Sequence, residues 1–289
     1  MKINKALKKY SLVPKRYEKK ENVRIIDTDK GKYVYKEGKI KNSILDYLKT
    51  RSFNYMPKTI NNPYDNYQIT EYIEDYDIPK EQKILDMILL VSLLHSKTTH
   101  YKEVDINDYE KIYEDLDNNI EYLFSYYDDL MTIIESKVYP SPSEYLLSRN
   151  ISMVYYAINT AKEKLSHWHN LINEKRKQRN VVLHNNLKLD HFIRNKNSYL
   201  ISWNKAKIGS PVFDLYKLYK NHALDFDFSD ILEEYEKHYP LAEDEKELLF
   251  ILILLPEKIE FNAPEYEMCK RISREIDTIY KTISITKKA

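Results

Sequence analysis

The chain has 289 residues, with 46 lysines and arginines set against 45 aspartates and glutamates, and this near-neutral balance gives no global drive towards nucleic acid. Its single cysteine, Cys269, excludes an internal disulfide framework and a cysteine-rich zinc site, and fits a reducing compartment. Three glycines, Gly31, Gly38 and Gly209, are too few for a Walker or dinucleotide phosphate loop.

Residues 1–20 are rich in lysine and lack an apolar stretch, so no signal peptide is expected and the lysines read as solvated. Residues 23–36 alternate apolar and polar side chains around Asp29, Lys30 and Gly31, which predicts a hairpin ending at Lys36. A helix carrying Leu45 and Leu48 follows, and then a strand over residues 68–74. From there the pattern is helical, and Ile84, Met87, Ile88, Val91 and Leu94 repeat at three and four. Residues 103–135 are dominated by aspartate and glutamate; this stretch and the lysine-rich start could each dock a partner, with solvation the preferred reading for both.

Ser141, Pro142 and Glu144 form a capping box with proline at the first helical position. The face Ile151, Val154, Tyr155, Ile158, Ala161, Leu165, Trp168 and Ile172 predicts a helix of about thirty residues after it. His167 and His169 point to different faces of that helix and read as ordinary polar positions. Lys175, Arg176, Lys177 and Arg179 complement the negative end of its dipole. The 27 tyrosines rise together with lysine, asparagine and isoleucine, as AT-rich coding produces, although cross-linking in a coat layer is the functional alternative.

Val181, Val182 and Leu183 then predict a buried strand, followed by a polar loop from His184 to His191. Phe192 and Ile193, a polar turn over residues 194–198, and Tyr199, Leu200 and Ile201 predict a hairpin that ends at Ser202. The pairing brings the loop and Ser202 to one cleft. Helices are expected over 213–222, 229–238, 243–255 and 264–283. Residues 248–255 are too short to span a bilayer before Pro256, so a soluble protein is expected.

The spacing of His184, Asn186 and His191, the hairpin, Ile201-Ser202-Trp203 and Gly209-x-Pro211-x-x-Asp214-Leu215 resembles the aminoglycoside phosphotransferase and choline kinase-like superfamily. Within it the pattern is most similar to the spore coat kinase-like proteins of the CotS type. That family's pattern is H-x-D-x-x-x-x-N, a hairpin, I-D-W and G-x-P-x-x-D-L.

The resemblance implies an α+β, bilobal protein kinase-like fold: a small β-rich N-lobe over residues 1–75 and a larger, mainly helical C-lobe over 76–289 that carries the catalytic-loop-like segment 181–214. It makes Lys36 the phosphate-binding lysine, and Glu71 and Tyr72 part of a hinge whose adenine contacts are backbone groups. His184, Asn186 and Asp190 fall in the catalytic loop, and His191 and Ser202 at the metal positions. Gly209, Pro211 and Asp214 are retained as structural residues. The family's lysine is oriented by a glutamate; here the alignment puts Lys41 at that position, with Asp46 as a poorer substitute out of register.

Phosphoryl transfer needs an aspartate to receive the acceptor proton and metal ions to neutralise charge. Asn186 has no useful basicity, Ser202 replaces a carboxylate, and His191 offers nitrogen where the family offers an amide oxygen. The expectation is therefore an impaired, pseudokinase-type binding or scaffold module, with no cofactor required, ATP as the candidate ligand, and magnesium or manganese disfavoured. The resemblance alone implies a protein partner in a coat or envelope, and either the cytoplasm or the spore coat of a low-GC Gram-positive bacterium. The alternative is an atypical ATP-dependent phosphotransferase acting on a small hydroxylated substrate or a protein, with Asp190 and His191, or His184 and His191, forming a rewired site suited to manganese or zinc.

Overall fold

The computed structural model describes residues 2–20, 23–38, 42–62 and 65–288. The chain forms two compact units, one from Met1–Thr99 and Val181–Gly209 and one from His100–Asn180 and Ser210–Ala289.

In the first unit, helix α1 (Lys2–Lys9) precedes an antiparallel sheet of β1 (Pro14–Lys20), β2 (Val23–Thr28), β3 (Gly31–Glu37) and β4 (Tyr67–Glu71), in that spatial order. Thr28 pairs with Gly31, so the predicted hairpin turns on Asp29 and Lys30 alone. Gly31 already belongs to β3, with a φ of 122° that only glycine takes without strain. Lys36 pairs with Val23 on one side and Gln68 on the other, which places it on an inner strand.

The lysine-rich start of the chain is not simply a solvated segment. Ile3, Ala6 and Leu7 of α1, with Leu12, are buried against Ile26, Tyr35 and Ile69 of the sheet. Their spacing of three and four is an apolar stripe that the surrounding lysines mask, and each fully buried aliphatic side chain contributes roughly 1.5–3 kcal/mol. Helix α2 (Asn42–Thr50) buries Leu45 and Leu48 as expected. Lys41 lies outside the described residues. Helix α3 (Lys80–Thr98) buries Ile84, Met87, Ile88, Val91 and Leu94, the predicted face.

Strand β5 (His100–Glu103) pairs with residues 177–180 of β6 (Lys177–Leu183), in the second unit. Residues 181–183 of β6 pair in the first unit with β9 (Lys207–Gly209). Between them, β7 (Phe192–Arg194) and β8 (Ser198–Leu200) form the hairpin that the sequence predicts. Arg194 and Ser198 are its last paired residues, so the turn is three residues, not five.

In the second unit, most of the acidic stretch 103–135 is an amphipathic helix and not merely a solvated surface. Helix α4 (Ile106–Glu135) buries Ile120, Leu123, Tyr127, Met131 and Ile134, and Asp105 caps it by accepting from the Asn107 N–H at 3.1 Å. Helix α5 (Pro142–Asn173) starts at the predicted capping box, where Glu144 accepts from the Ser141 N–H at 2.8 Å. It buries Val154, Ile158, Ala161, Leu165, Trp168 and Ile172.

Helices α6 (Val212–His222), α7 (Phe228–His238), α8 (Glu243–Leu254) and α9 (Glu265–Lys288) follow, within a few residues of their predicted ranges. Helix α8 buries Leu248, Leu249, Phe250, Ile251, Ile253 and Leu254, nearly its whole circumference over the last two turns, as a central core helix does. No helix among the described residues is long and apolar enough to cross a membrane.

Candidate functional site

The chain leaves the buried strand residues Val181, Val182 and Leu183 at His184, which is itself fully buried. Its Nε2–H donates to the Ile201 carbonyl at 2.7 Å, and its ring meets Trp203 edge-on at 4.7 Å. The histidine therefore ties the start of the loop to the end of the hairpin. Asn185 takes a left-handed backbone, φ 58°, and its side chain donates to the Lys205 carbonyl at 2.9 Å. Ser202 is also left-handed, φ 68°, so the chain reverses sharply where β8 ends. The Trp203 indole N–H donates to the Leu200 carbonyl at 2.8 Å and closes this turn.

His191 returns to the loop from the other end. Its Nδ1–H donates to the Asn186 carbonyl at 2.6 Å, and its own carbonyl accepts from Ile201 at 2.9 Å. The His184 and His191 rings stand 6.2 Å apart. Burial holds the His191 imidazole below its ordinary value; the bond to Asn186 opposes this, the Lys188 and Lys36 ammonium groups reinforce it, and Asp190 opposes it. The ring is neutral near pH 7, and since Nδ1 carries the donated proton, Nε2 keeps the lone pair.

Lys36 reaches the same region from β3 and donates to Asn204 Oδ1 at 3.3 Å. Burial lowers its ammonium pKa. Asp46 does not orient it: that carboxylate is largely exposed and pairs with Lys49 at 3.1 Å. Asn204 is the Lys36 partner that sequence reasoning missed, and its only signal was a polar residue right after Ile201-Ser202-Trp203. Asn185 was missed likewise, although asparagine is among the side chains that tolerate a left-handed backbone.

The first unit thus brings together Lys36, His184, Asn186, His191 and Ser202. Asp190 belongs to the same loop but is exposed. At the candidate hinge, the Tyr72 N–H donates to the Lys32 carbonyl and the Glu71 N–H to the Lys58 carbonyl, both at 3.0 Å, while the Glu71 side chain accepts from the Lys58 N–H. Both hinge amides are already engaged within the protein.

Gly209 closes β9 without a positive φ, and a Cβ there would sit 3.0 Å from Leu183 Cδ1. A larger residue there would need the Leu183 side chain to shift. Pro211 and Asp214 lie in the second unit, where Asp214 is buried in the first turn of α6.

The donor set at the loop does not fit magnesium, which takes hard oxygen ligands in octahedral geometry. Asn186, His191 and Ser202 supply no carboxylate. No group of three or more histidine, cysteine, aspartate or glutamate side chains among the described residues is arranged to hold a metal ion. The half-buried ammonium of Lys36 does fit a phosphate, being a desolvated point charge with one weak partner.

No protein-family model matches the chain, and no curated protein matches it. Solved structures do. An aminoglycoside phosphotransferase from Alicyclobacillus acidocaldarius superposes with a TM-score of 0.69 at 9% identity, covering 96% of this chain and 92% of that one. An AMP-bound spectinomycin phosphotransferase gives 0.59 at 11% identity, with 98% and 97% covered. A choline kinase from Streptococcus pneumoniae gives 0.51 at 17% identity, with 96% and 98% covered. At such identities the likeness is one of fold. The chain has the mixed α+β fold of the aminoglycoside phosphotransferases and choline kinases, with a small β-sheet N-terminal region and a larger helical C-terminal part.

Proposed function

We propose that this chain is a kinase-fold protein impaired in phosphoryl transfer, of the spore coat kinase-like type, that works as a binding or scaffold module and keeps a nucleotide-phosphate contact at Lys36. The observation that carries this reading is the chemistry at three positions, two in the loop from His184 to His191 and one just after the hairpin. Asn186 stands where a proton acceptor is needed, and neither His191 nor Ser202 is a carboxylate. General-base help worth about two to four orders of magnitude is absent with an amide there. The loop is nonetheless fully formed, as a module that binds without turnover requires.

In this reading the lobes divide near residues 73–79, with 1–75 as the N-lobe and 76–289 as the C-lobe, and the bound molecule is ATP. The spectinomycin phosphotransferase neighbours, solved with AMP or with ADP and spectinomycin, support a nucleotide as ligand. A protein partner in a coat or envelope assembly of a low-GC Gram-positive bacterium completes the proposal and rests on the sequence resemblance.

Calorimetric titration with ATP, first without metal and then with magnesium or manganese, tests it. Metal-independent binding that Lys36→Met abolishes is the expected result, with no transfer to small hydroxylated acceptors. Binding that requires metal, or transfer at ordinary enzymatic rates, overturns it; affinity unchanged in Lys36→Met removes the lysine from the site.

One observation favours a second reading, an atypical phosphotransferase. The neutral Nε2 of His191 is a nitrogen donor beside exposed Asp190, a pair better suited to manganese or zinc than to magnesium. It predicts manganese-dependent turnover that His191→Ala abolishes.

A further inference from the structure

The second unit carries a cavity of about 500 Å³ that uses none of the residues around Lys36. Its walls are the end of α6, the chain that follows α8, and one face of α9. Arg271, Arg274, Glu275 and Thr278 line it together because they recur at three, one and three along α9. Ala223 and Ile259 are buried and give it a small apolar floor.

The charges around the cavity are not all mutually satisfied. Lys220 pairs with Glu257 at 2.9 Å and Lys258 with Glu260 at 3.1 Å, so four of the seven charged groups neutralise one another. Glu275 accepts from the Glu257 N–H at 2.7 Å, and its carboxylate is also attracted by the Lys220 ammonium and the Arg274 guanidinium, so it offsets part of the positive charge. Two guanidinium groups have no ion-pair partner among the described residues, and with Glu275 they leave the lining one positive charge in excess. Arg271 donates to Asn262 Oδ1 at 3.1 Å, a neutral partner that leaves most of its donors unused. Arg274 makes no side-chain hydrogen bond and no ion pair among the described residues. Both extend from one turn of one helix into a volume in the range that holds small ligands.

We infer that this cavity binds a small, doubly charged oxyanion compound, a phosphate monoester or a dicarboxylate, anchored by Arg274 and Arg271. Two guanidinium forks one helical turn apart match an anion with several acceptor oxygens, and charge-assisted bonds of this kind are the strong ones. The neighbouring lysine–glutamate pairs supply polar contacts for the uncharged remainder of the ligand.

The test is calorimetric titration of the full chain with glycerol 2-phosphate and, separately, with malonate. Wild type, Arg274→Gln, Arg271→Gln and Lys36→Met are compared. One of the two probes binds wild type, each arginine substitution weakens it about tenfold, and Lys36→Met binds as wild type does. The probe that binds more tightly assigns the ligand to phosphate monoesters or to dicarboxylates. Both arginines are exposed, so the variants fold, and unchanged thermal midpoints confirm it. Equal affinity in wild type and both arginine variants, loss confined to Lys36→Met, or no binding of either probe to wild type overturns the inference.

Discussion

The candidate-site loop and the α5–α8 region of the second unit are both rich in polar side chains, but they are held in opposite ways. In the loop, the polar side chains bond to main-chain carbonyls: His184 to Ile201, Asn185 to Lys205, His191 to Asn186 and Trp203 to Leu200. In the second unit, side chains bond to side chains of opposite charge: Arg179 to Glu245, Lys175 to Asp244 and Lys164 to Glu247. A carbonyl is present whatever residue carries it, so these bonds do not depend on which side chains stand at 186 and 202, although the left-handed backbone at 202 does restrict the residue there. The ion pairs depend on both partners. Main-chain acceptors therefore hold the loop under substitutions that would break the ion pairs of the second unit.

The largest expected effect breaks the side-chain-dependent half of this comparison. Arg179 forms a two-point contact with Glu245, stacks on the Tyr239 ring at 4.3 Å and donates to the Pro240 carbonyl at 2.9 Å. The Glu245 side chain is only 5% exposed and also accepts from the Ala242 N–H to cap α8. Arg179→Met strands that carboxylate, and a loss of about 3 kcal/mol in urea unfolding is expected. Adding Glu245→Gln recovers part of the loss by removing the stranded charge. A single variant as stable as wild type would show that the pair is not what holds α8.

Next in size is His184→Ala, which tests the backbone-held half. It removes the donor to Ile201 and leaves a cavity against Trp203, for a cost of about 2 kcal/mol. Because the hydrogen-bond partner is a carbonyl, His184→Gln, which keeps an N–H donor, is less damaging than His184→Ala. Equal losses in the two variants would assign the effect to packing alone.

The same contrast explains what could be read from the chain. The strand at Val181, the hairpin after it and the long α5 helix are written in apolar periodicity and turn residues, which act locally. The spacing from His184 to Ser202 was legible because the hairpin between them has a fixed geometry. Helices α1 and α4 were not recognised: their apolar stripes lie within dense lysine or acidic runs, and charge masks the period. Asn204 as the partner of Lys36, separated from it by 168 positions, has no local signature at all. Nor does the second role of Glu245, since a capping glutamate reads the same whether or not an arginine meets it.

The smallest effect sharpens the comparison at a single side chain. His191 is held below its ordinary value of 6.5, chiefly by burial, so as pH falls the unfolded chain takes up this proton before the folded one does. Stability from this group is complete above about pH 6.5 and declines as pH drops towards the folded value, because the unfolded state binds more protons there. His191→Gln keeps an N–H donor for the Asn186 carbonyl but cannot titrate. Thermal unfolding of both proteins at pH 7 and pH 5 should therefore show a smaller fall in midpoint for the variant, with near-equal midpoints at pH 7. Parallel falls would mean that the loop accommodates an imidazolium, which would then stand beside Lys36 and weaken the case for a neutral Nε2 as a metal donor.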